Sequence, residues 1–431
     1  MKKLLALALV LAIIPSAIVF AQAKTDLTLW TFNDTHLTFY KAMEAKWNAA
    51  NPGKQINIKG EVFPYDDMHN KLLVSLQSGS GAPDISDIEV SKFANYLQGD
   101  IQLAPLNDLL KKDMKNFVKA RLDLYQAKGN YYGLDFHVGA EIMFYNVELC
   151  KAAGVDIDKI KTWSDYIKAG QQVVAKTGKP MCTIESTEHW SYYPLLSMAG
   201  SDVLDKNNKV ILDNDTNVKV LKLLYDMIYK YKIAVTAPGG FHHSEQYYGF
   251  MNDGGAASIW MPYWYLNRFT DYMSDLKGKM AIRPMPIFDG SAEVYGIKSK
   301  YSSTGMGGTG TAVIKTSKHV QLAKEFLYFA KGSKEGQIEI WKQMGFDPLR
   351  TDVWTDKAVR EPNKFTAYYQ NGTGLFDVLT KVKDGFNGTV VSGNYPAIID
   401  TVKRKVMFQV LSDQSKTPEQ ALKEAAAELR K

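Results

Sequence analysis

The stretch AASIWMPYWYLNRF, residues 256–269, sets two Trp and two Tyr within six positions and follows them with Arg268. In a water-soluble chain such rings either pack as core or offer flat faces with polar edges to a ligand, and a sugar ring has matching apolar and hydroxylated surfaces. Alternate residues of a strand share a face, so Trp260 points with Pro262 while Met261 points with Tyr263. Pro262 cannot donate to a sheet ladder and is expected to end the strand. Tyr263, Trp264 and Tyr265 then begin a helix that runs through Arg268. Open α/β sheets collect ligands at such junctions. Ligand contact is therefore expected of Tyr263 and Trp264, and Trp260 is either ligand wall or strand core.

Four carboxylates, Asp34, Asp87, Glu89 and Glu141, fall at expected strand ends. Glycoside hydrolysis needs an acid facing a nucleophile or base across the scissile bond, and these residues could supply such a pair. They could equally accept sugar hydroxyls, cap helices or pair with Arg, and their spacing selects neither use. His242 and His243 with Glu245 lack a further ligand at diagnostic spacing, so a solvated loop is expected there. DNDTN, residues 213–217, opens like a calcium loop without its Gly or twelfth-position Glu; an N-cap for the next helix accounts for it. GMGGTG, residues 305–310, matches the dinucleotide pattern in letters alone, because a β-type run follows it where a helix is required. Its glycines are expected to let backbone approach a ligand or a hinge. No H-E-x-x-H, G-x-S-x-G or Walker A motif occurs. No cofactor and no metal are expected.

The elements that would hold these residues alternate. DLTLWTF, residues 26–32, reads as a strand that leads into a polar turn at 33–36. An amphipathic helix follows and stops at Asn51-Pro52-Gly53. Residues 56–63 read as a second strand, 69–79 as a helix and 82–89 as a third strand. This order implies a parallel sheet with crossover helices. Residues 130–146 give two strands separated by a break at 137–140, which reads as a crossing into a second domain. Further helices are expected at 162–177, 215–231 and 319–331, with a return to the first domain before TAVI. TPEQALKEAAAELRK closes the chain, with a capping box from Thr417 to Gln420 and Pro418 at the first helical position.

MKK, a long apolar run and AQA at residues 21–23 make a secretory signal expected to be cleaved near Ala23. The 431-residue chain without it is still long enough for two domains. The net charge of +6 is spread out, with no basic stripe for nucleic acid. Cys150 and Cys182 are the two cysteines; in an exported protein they could pair, or stand as separate buried thiols. No Cys follows the apolar run to carry a lipid anchor, so a periplasmic address is expected.

LTLWTFND, GAPDISDIE, YYGLDF before FYN, AASIWMPYW, AKEFLYFAK, EGQIEIWKQMGFDPLR and TPEQALKEAAAEL occur in an order and spacing that resemble the solute-binding proteins of carbohydrate ABC transporters. That extracellular family includes maltose-binding protein, and within it the likeness is to binders of arabinose or arabino-oligosaccharides. The resemblance spans essentially the whole chain after the signal. It implies a two-lobed, hinged α/β periplasmic-binding-protein fold of type II, with discontinuous domains. The lobes would be 24–137 with 284–332, and 138–283 with 333–431. Carried over onto this sequence, the ligand site would comprise Asn33, Asp34, His36, Asp87, Glu89, His137, Glu141, Trp260, Tyr263, Trp264 and Gly308, with Trp190 of EHWSYYP added. The function implied is capture of a mono- or oligosaccharide by a monomer that performs no reaction and delivers the sugar to membrane permease subunits. A secreted glycosidase or lyase is the alternative.

Overall fold

The computed structural model describes residues 23–391 and 393–431. The signal segment before Ala23 lies outside the described residues. β1 (Thr25–Thr31) turns into α1 (Asp34–Ala50), capped by the Asn33 side chain, which accepts from the Thr35 amide at 2.9 Å. Burial of His36, Phe39, Tyr40, Met43 and Trp47 marks one face of α1 at helical spacing. β2 (Ile56–Val62), α2 (Tyr65–Ser78), β3 (Ile85–Glu89) and the single turn α3 (Val90–Phe93) follow, and then the short strand β4 (Leu134–Asp135).

The second half of the framework begins with β5 (Glu141–Asn146) and α4 (Trp163–Thr177). After these come β6 (Cys182–Ile184), α5 (Asp215–Tyr229), β7 (Ala234–Thr236), α6 (Glu245–Asn252), β8 (Ser258–Pro262), α7 (Leu266–Tyr272) and β9 (Met280–Arg283). β10 (Thr309–Val313) and α8 (Val320–Leu327) return to the first sheet. The chain ends through α9 (Lys334–Met344), α10 (Leu375–Val382), α11 (Tyr395–Thr401) and α12 (Pro418–Leu429). Asn214 caps α5, and the Thr417–Gln420 capping box opens α12.

Two five-stranded sheets result, ordered β2-β1-β3-β10-β4 and β9-β5-β8-β6-β7. β1 runs parallel to β2 and β3, while β10 inserts antiparallel between β3 and β4. β8 lies between β5, antiparallel, and β6, parallel. Both faces of each sheet are covered. Leu27 and Leu29 of β1 join one apolar cluster and Trp30 another. Ile142 and Phe144 of β5 likewise face away from Met143 and Tyr145.

Three segments cross between the sheets side by side. His137 bridges Pro348 and Ala140 bridges Gly305. The Met306 amide donates to Gly139 O at 2.9 Å, and the Val138 amide to Asp347 O at 3.0 Å. Residues 137–140, where the break was expected, carry these contacts. The expected return at 284 lies elsewhere: residues 284–300 stay against the second sheet's helices, with the Trp163 amide donating to Ile287 O at 3.1 Å and Phe288 in Trp163's cluster. The chain leaves that side near Ser303. The boundary at 333 also moves, because α9 packs beside α1, with Lys46 reaching Glu335 and Glu339. Cys150 and Cys182 are separate, buried free thiols, and burial pushes each up to about 12. Among the described residues no helix is long and apolar enough to cross a membrane.

Candidate functional site

Between the sheets, beside the crossings, lies a cavity of about 530 Å³. Its walls come from the turn after β1, the turn after β3, the loops that follow β6 and β7, α7, the 305–309 segment and α11. Its size falls within the range that takes small ligands.

On the side of the first sheet, Asn33 and His36 reach the cavity from the start of α1. Asp87 orients His36 from behind: its Oδ2 lies 3.0 Å from His36 Nδ1, and Thr31, Tyr40 and Thr311 donate to the same carboxylate. Burial works to raise the Asp87 carboxyl, but the bond and charge of His36, with Lys331 nearby, hold it at about 2. Asp87 is itself fully enclosed. Glu89 lies nearer the opening and caps α3; its Oε2 accepts from the Ser91 amide at 2.8 Å and the Tyr65 hydroxyl at 3.0 Å. Burial raises its carboxyl. His137, at the first crossing, lines the cavity with its Nδ1 buried and unpartnered. Burial lowers its imidazole to about 3, against the pull of Asp135.

On the side of the second sheet the wall is aromatic. Trp190 and Trp264 meet edge to face with centroids 5.5 Å apart, and His243 stacks on Trp264 at 5.6 Å. Buried Glu185, just past β6, fixes both loops. It accepts the Trp190 amide at 3.0 Å and the His242 amide at 2.9 Å. His243 is held at about 3, by burial first and then by the Arg268 charge; a neutral imidazole can donate to one hydroxyl and accept from another. Glu188 and Lys403 also line the cavity and pair with each other at 2.8 Å.

The glycines of the return crossing fit between these two walls. Arg121 Nε donates to Asp135 Oδ2 at 2.7 Å and its Nη2 donates to Gly307 O. A Cβ on Gly308, whose φ is +133°, would fall on the Arg121 guanidinium. A Cβ on Gly307 would crowd Trp190 and Trp264. From the other lobe, Trp264 Nε1 donates to Met306 O at 3.2 Å. The segment is therefore gripped from both sides.

Asn33, His36, Glu89, His137, Trp190, Trp264 and Gly308 thus share one cavity. Five other expected ligand residues do not line it. Asp34 is exposed at the first turn of α1. Asp87 and Glu141 are sealed, and both Glu141 oxygens are buried without a partner. Trp260 is 1% exposed, packs edge to face on Trp163 at 5.5 Å and donates to Ser191 O at 3.2 Å. Tyr263 is buried against Trp341 and Phe376. The cause is common to both rings. β8 is an interior strand with both faces covered, so Trp260 enters core on one side, and Tyr263 is still held at the strand end by Ala140 O. Trp264 is the first ring free to project into the cleft. The expected solvated loop is corrected: His242 is buried and His243 is half-buried in the cavity wall. Sequence reasoning also passed over Phe32, Tyr65, Arg121, His189, Tyr193, Arg268, Tyr395 and Lys403. Phe32, His189, Tyr193 and Arg268 stood in stretches already singled out, beside residues chosen from them; Tyr65, Arg121, Tyr395 and Lys403 carry no local signal.

Two sheets, three crossings and a cavity walled from both sides define the two-lobed, hinged solute-binding class of type II, with discontinuous lobes. The chain matches the model of bacterial extracellular solute-binding proteins over residues 31–337. It belongs to that family. It is 52% identical over 410 residues to the arabinooligosaccharide-binding protein of Bacillus subtilis (strain 168), covering 95% of this chain and 93% of that protein. Identity to the arabinooligosaccharide-binding protein of Halalkalibacterium halodurans is 44% over 404 residues, covering 94% and 88%. Among solved structures, the sugar-binding protein MalE from Xanthomonas citri matches with a TM-score of 0.75 at 16% identity, over 94% of this chain and 96% of that one. The GacH receptor of Streptomyces glaucescens gives 0.72 at 20%, over 95% and 98%. These two likenesses are of fold.

Proposed function

We propose that this protein binds an arabino-oligosaccharide between its lobes and delivers it, as an exported monomer, to the permease of an ABC importer. The observation that carries the reading is the cavity itself: Trp190 and Trp264 present ring surface, while Asn33, His36, Glu89, His137 and His243 surround it with donors and acceptors. That combination suits a neutral, hydroxyl-rich ring with two apolar faces. The names of the two arabinooligosaccharide-binding relatives supply the sugar class. The glycosidase alternative loses two of its four candidate carboxylates, Asp87 and Glu141, to enclosed positions.

Binding would proceed by closure about the three crossings, with lobe boundaries near 137–140, 303–309 and 345–350. Ligand that contacts both walls favours the closed form by its differential affinity. The Trp264 bond to Met306 would tie ring position to the middle crossing. Calorimetry with arabinotriose against a panel of other sugars tests the reading. Saturable heat is expected with the arabinoside, and Trp264→Ala should weaken it by about tenfold or more, as loss of a central aromatic anchor does. Absence of binding by any arabinoside would refute the proposal.

A further inference from the structure

The sequence contains seven arginines, and six of them have a carboxylate within ion-pair distance: Arg121 with Asp135, Arg283 with Asp158, Arg350 with Asp352, Arg360 with Asp377, Arg404 with Asp400 and Arg430 with Asp213. The seventh is Arg268, and it lines the cavity. Among the described residues it has neither an ion pair nor a hydrogen bond. The nearby Glu188 is engaged by Lys403 at 2.8 Å, and the imidazole next to Arg268, that of His243, is neutral. A half-buried guanidinium without a protein anion among the described residues keeps its five-donor fork open to a ligand, and that fork matches a carboxylate in two parallel hydrogen bonds.

One helical turn further along α7, on the same face, stands Tyr272, 51% exposed, with its ring 5.9 Å from the Arg268 guanidinium carbon. Tyr248 of α6 stacks on it at 4.8 Å with an interplanar angle of 6°, which holds the ring in place. Tyr272 does not line the cavity itself; it supports the Arg268 side chain that does.

We propose that Arg268 recognises a carboxylate on the ligand, so that the preferred oligosaccharide carries an acidic terminal unit, uronic or aldonic, seated against Arg268, whose guanidinium the Tyr272 ring positions. This rests on the arabinoside reading and narrows it to acidic members of that class. A neutral sugar leaves the guanidinium with hydroxyl partners only; a carboxylate gives it a charge-assisted pair.

The test uses three probes built on arabinotriose linked through its primary hydroxyls: the neutral methyl glycoside, the same glycoside with its one remaining primary hydroxyl oxidised to a carboxylate, and the trisaccharide with its reducing end oxidised to the aldonic acid. Calorimetry is run at low and at high salt with the wild type, Arg268→Gln, Arg268→Lys and Tyr272→Ala, each checked for folding by circular dichroism. One acidic probe is expected to bind about tenfold tighter than the neutral one at low salt, the scale of a charge-assisted hydrogen bond. Salt should shrink that advantage, Arg268→Gln should reduce it to parity, and Arg268→Lys should retain part of it. Tyr272→Ala should weaken the favoured acidic probe. Neutral binding without an acidic advantage, or an advantage that survives in Arg268→Gln, overturns the carboxylate proposal and leaves the arabinoside reading standing. Failure of all three probes overturns both.

Discussion

Glu141 illustrates what a single buried group contributes and what it does not. It sits at the end of β5, opposite Pro262, with both carboxyl oxygens enclosed and unpartnered. Burial, and secondarily the charge of Glu185, push its carboxyl well above the ordinary carboxylate range. The sign follows directly. The folded protein holds this proton where the unfolded chain has released it, so stability is intact below the unfolded value of about 4 and is lost as pH rises toward the folded one. Glu141→Gln removes the titration and keeps the shape. The variant is expected to match the wild type near pH 4 and to melt at a higher temperature near pH 8 in differential scanning calorimetry. Because Glu141 does not reach the cavity, arabinoside binding should persist, which also separates this protein from an enzyme that would use that carboxylate.

At the level of elements, the 305–309 segment is where local chemistry and long-range contact meet. Its glycines make a close fit for Arg121 from one lobe and Trp190 and Trp264 from the other. Gly308→Ala combines a backbone angle that L-residues rarely adopt with a collision at Arg121. It should destabilise the protein by more than about 1 kcal/mol, measured by urea denaturation. If the collision is the cause, adding Arg121→Ala should recover part of the loss, so that the double variant is less damaged than the sum of the two single ones. An additive double variant would show that the backbone angle alone is responsible. In the GMGGTG stretch, Gly307, Gly308 and Gly310 lie against side chains from distant parts of the chain: Trp190 and Trp264, Arg121, and Tyr125.

For the whole molecule, buried titratable groups oppose one another. Burial lowers His69 to about 4 and His137 and His243 to about 3, each from 6.5. These rings stay neutral in the fold while the unfolded chain takes up protons below 6.5, so their penalty is absent above that pH and grows as pH falls. Burial raises Glu185 to about 8 and Asp347 to about 7. Their folded forms keep protons that the unfolded carboxyls lose above about 4, so their penalty grows as pH rises to those values. Lys331, which burial lowers to about 7, opposes them above that pH, because the unfolded ammonium keeps a proton that the folded amine has lost; with Glu141 raised beside Glu185 the carboxyls outweigh it, and maximal stability falls on the acid side of neutrality. Melting temperature followed from pH 4 to 9 should peak between about 5 and 6.5 and decline on both flanks. A melting temperature that still climbs through pH 8 would contradict the assignment of Glu185 and Asp347.

The alternation of β1, α1, β2, α2 and β3, the stop at Asn51-Pro52, the crossing at 137–140, the cap at Asn214 and the capping box of α12 were all legible in sequence. Each is a local matter, decided by periodicity, proline or a short polar side chain within a few residues of its partner. The junction after Pro262 was legible as well, but not which of its rings face a ligand. Strand alternation assigns Trp260 and Tyr263 to opposite faces, and only the layers packed on the two sides of the sheet, Trp163 against Trp260 and Trp341 with Phe376 against Tyr263, make both interior. Trp264 escapes because it is the first ring beyond the ladder's hold. His243, Arg121 and Arg268 acquire their places through residues many positions distant: Glu185 beneath the neighbouring loops, Gly307 across the cleft, and Lys403, which engages Glu188 in the cavity that Arg268 lines. Sequence by itself determined the elements and the family likeness, since both reside in short-range pattern and its order along the chain. Which side chains share the cavity was decided by tertiary structure alone, because burial and pairing depend on what the rest of the chain brings to the other side.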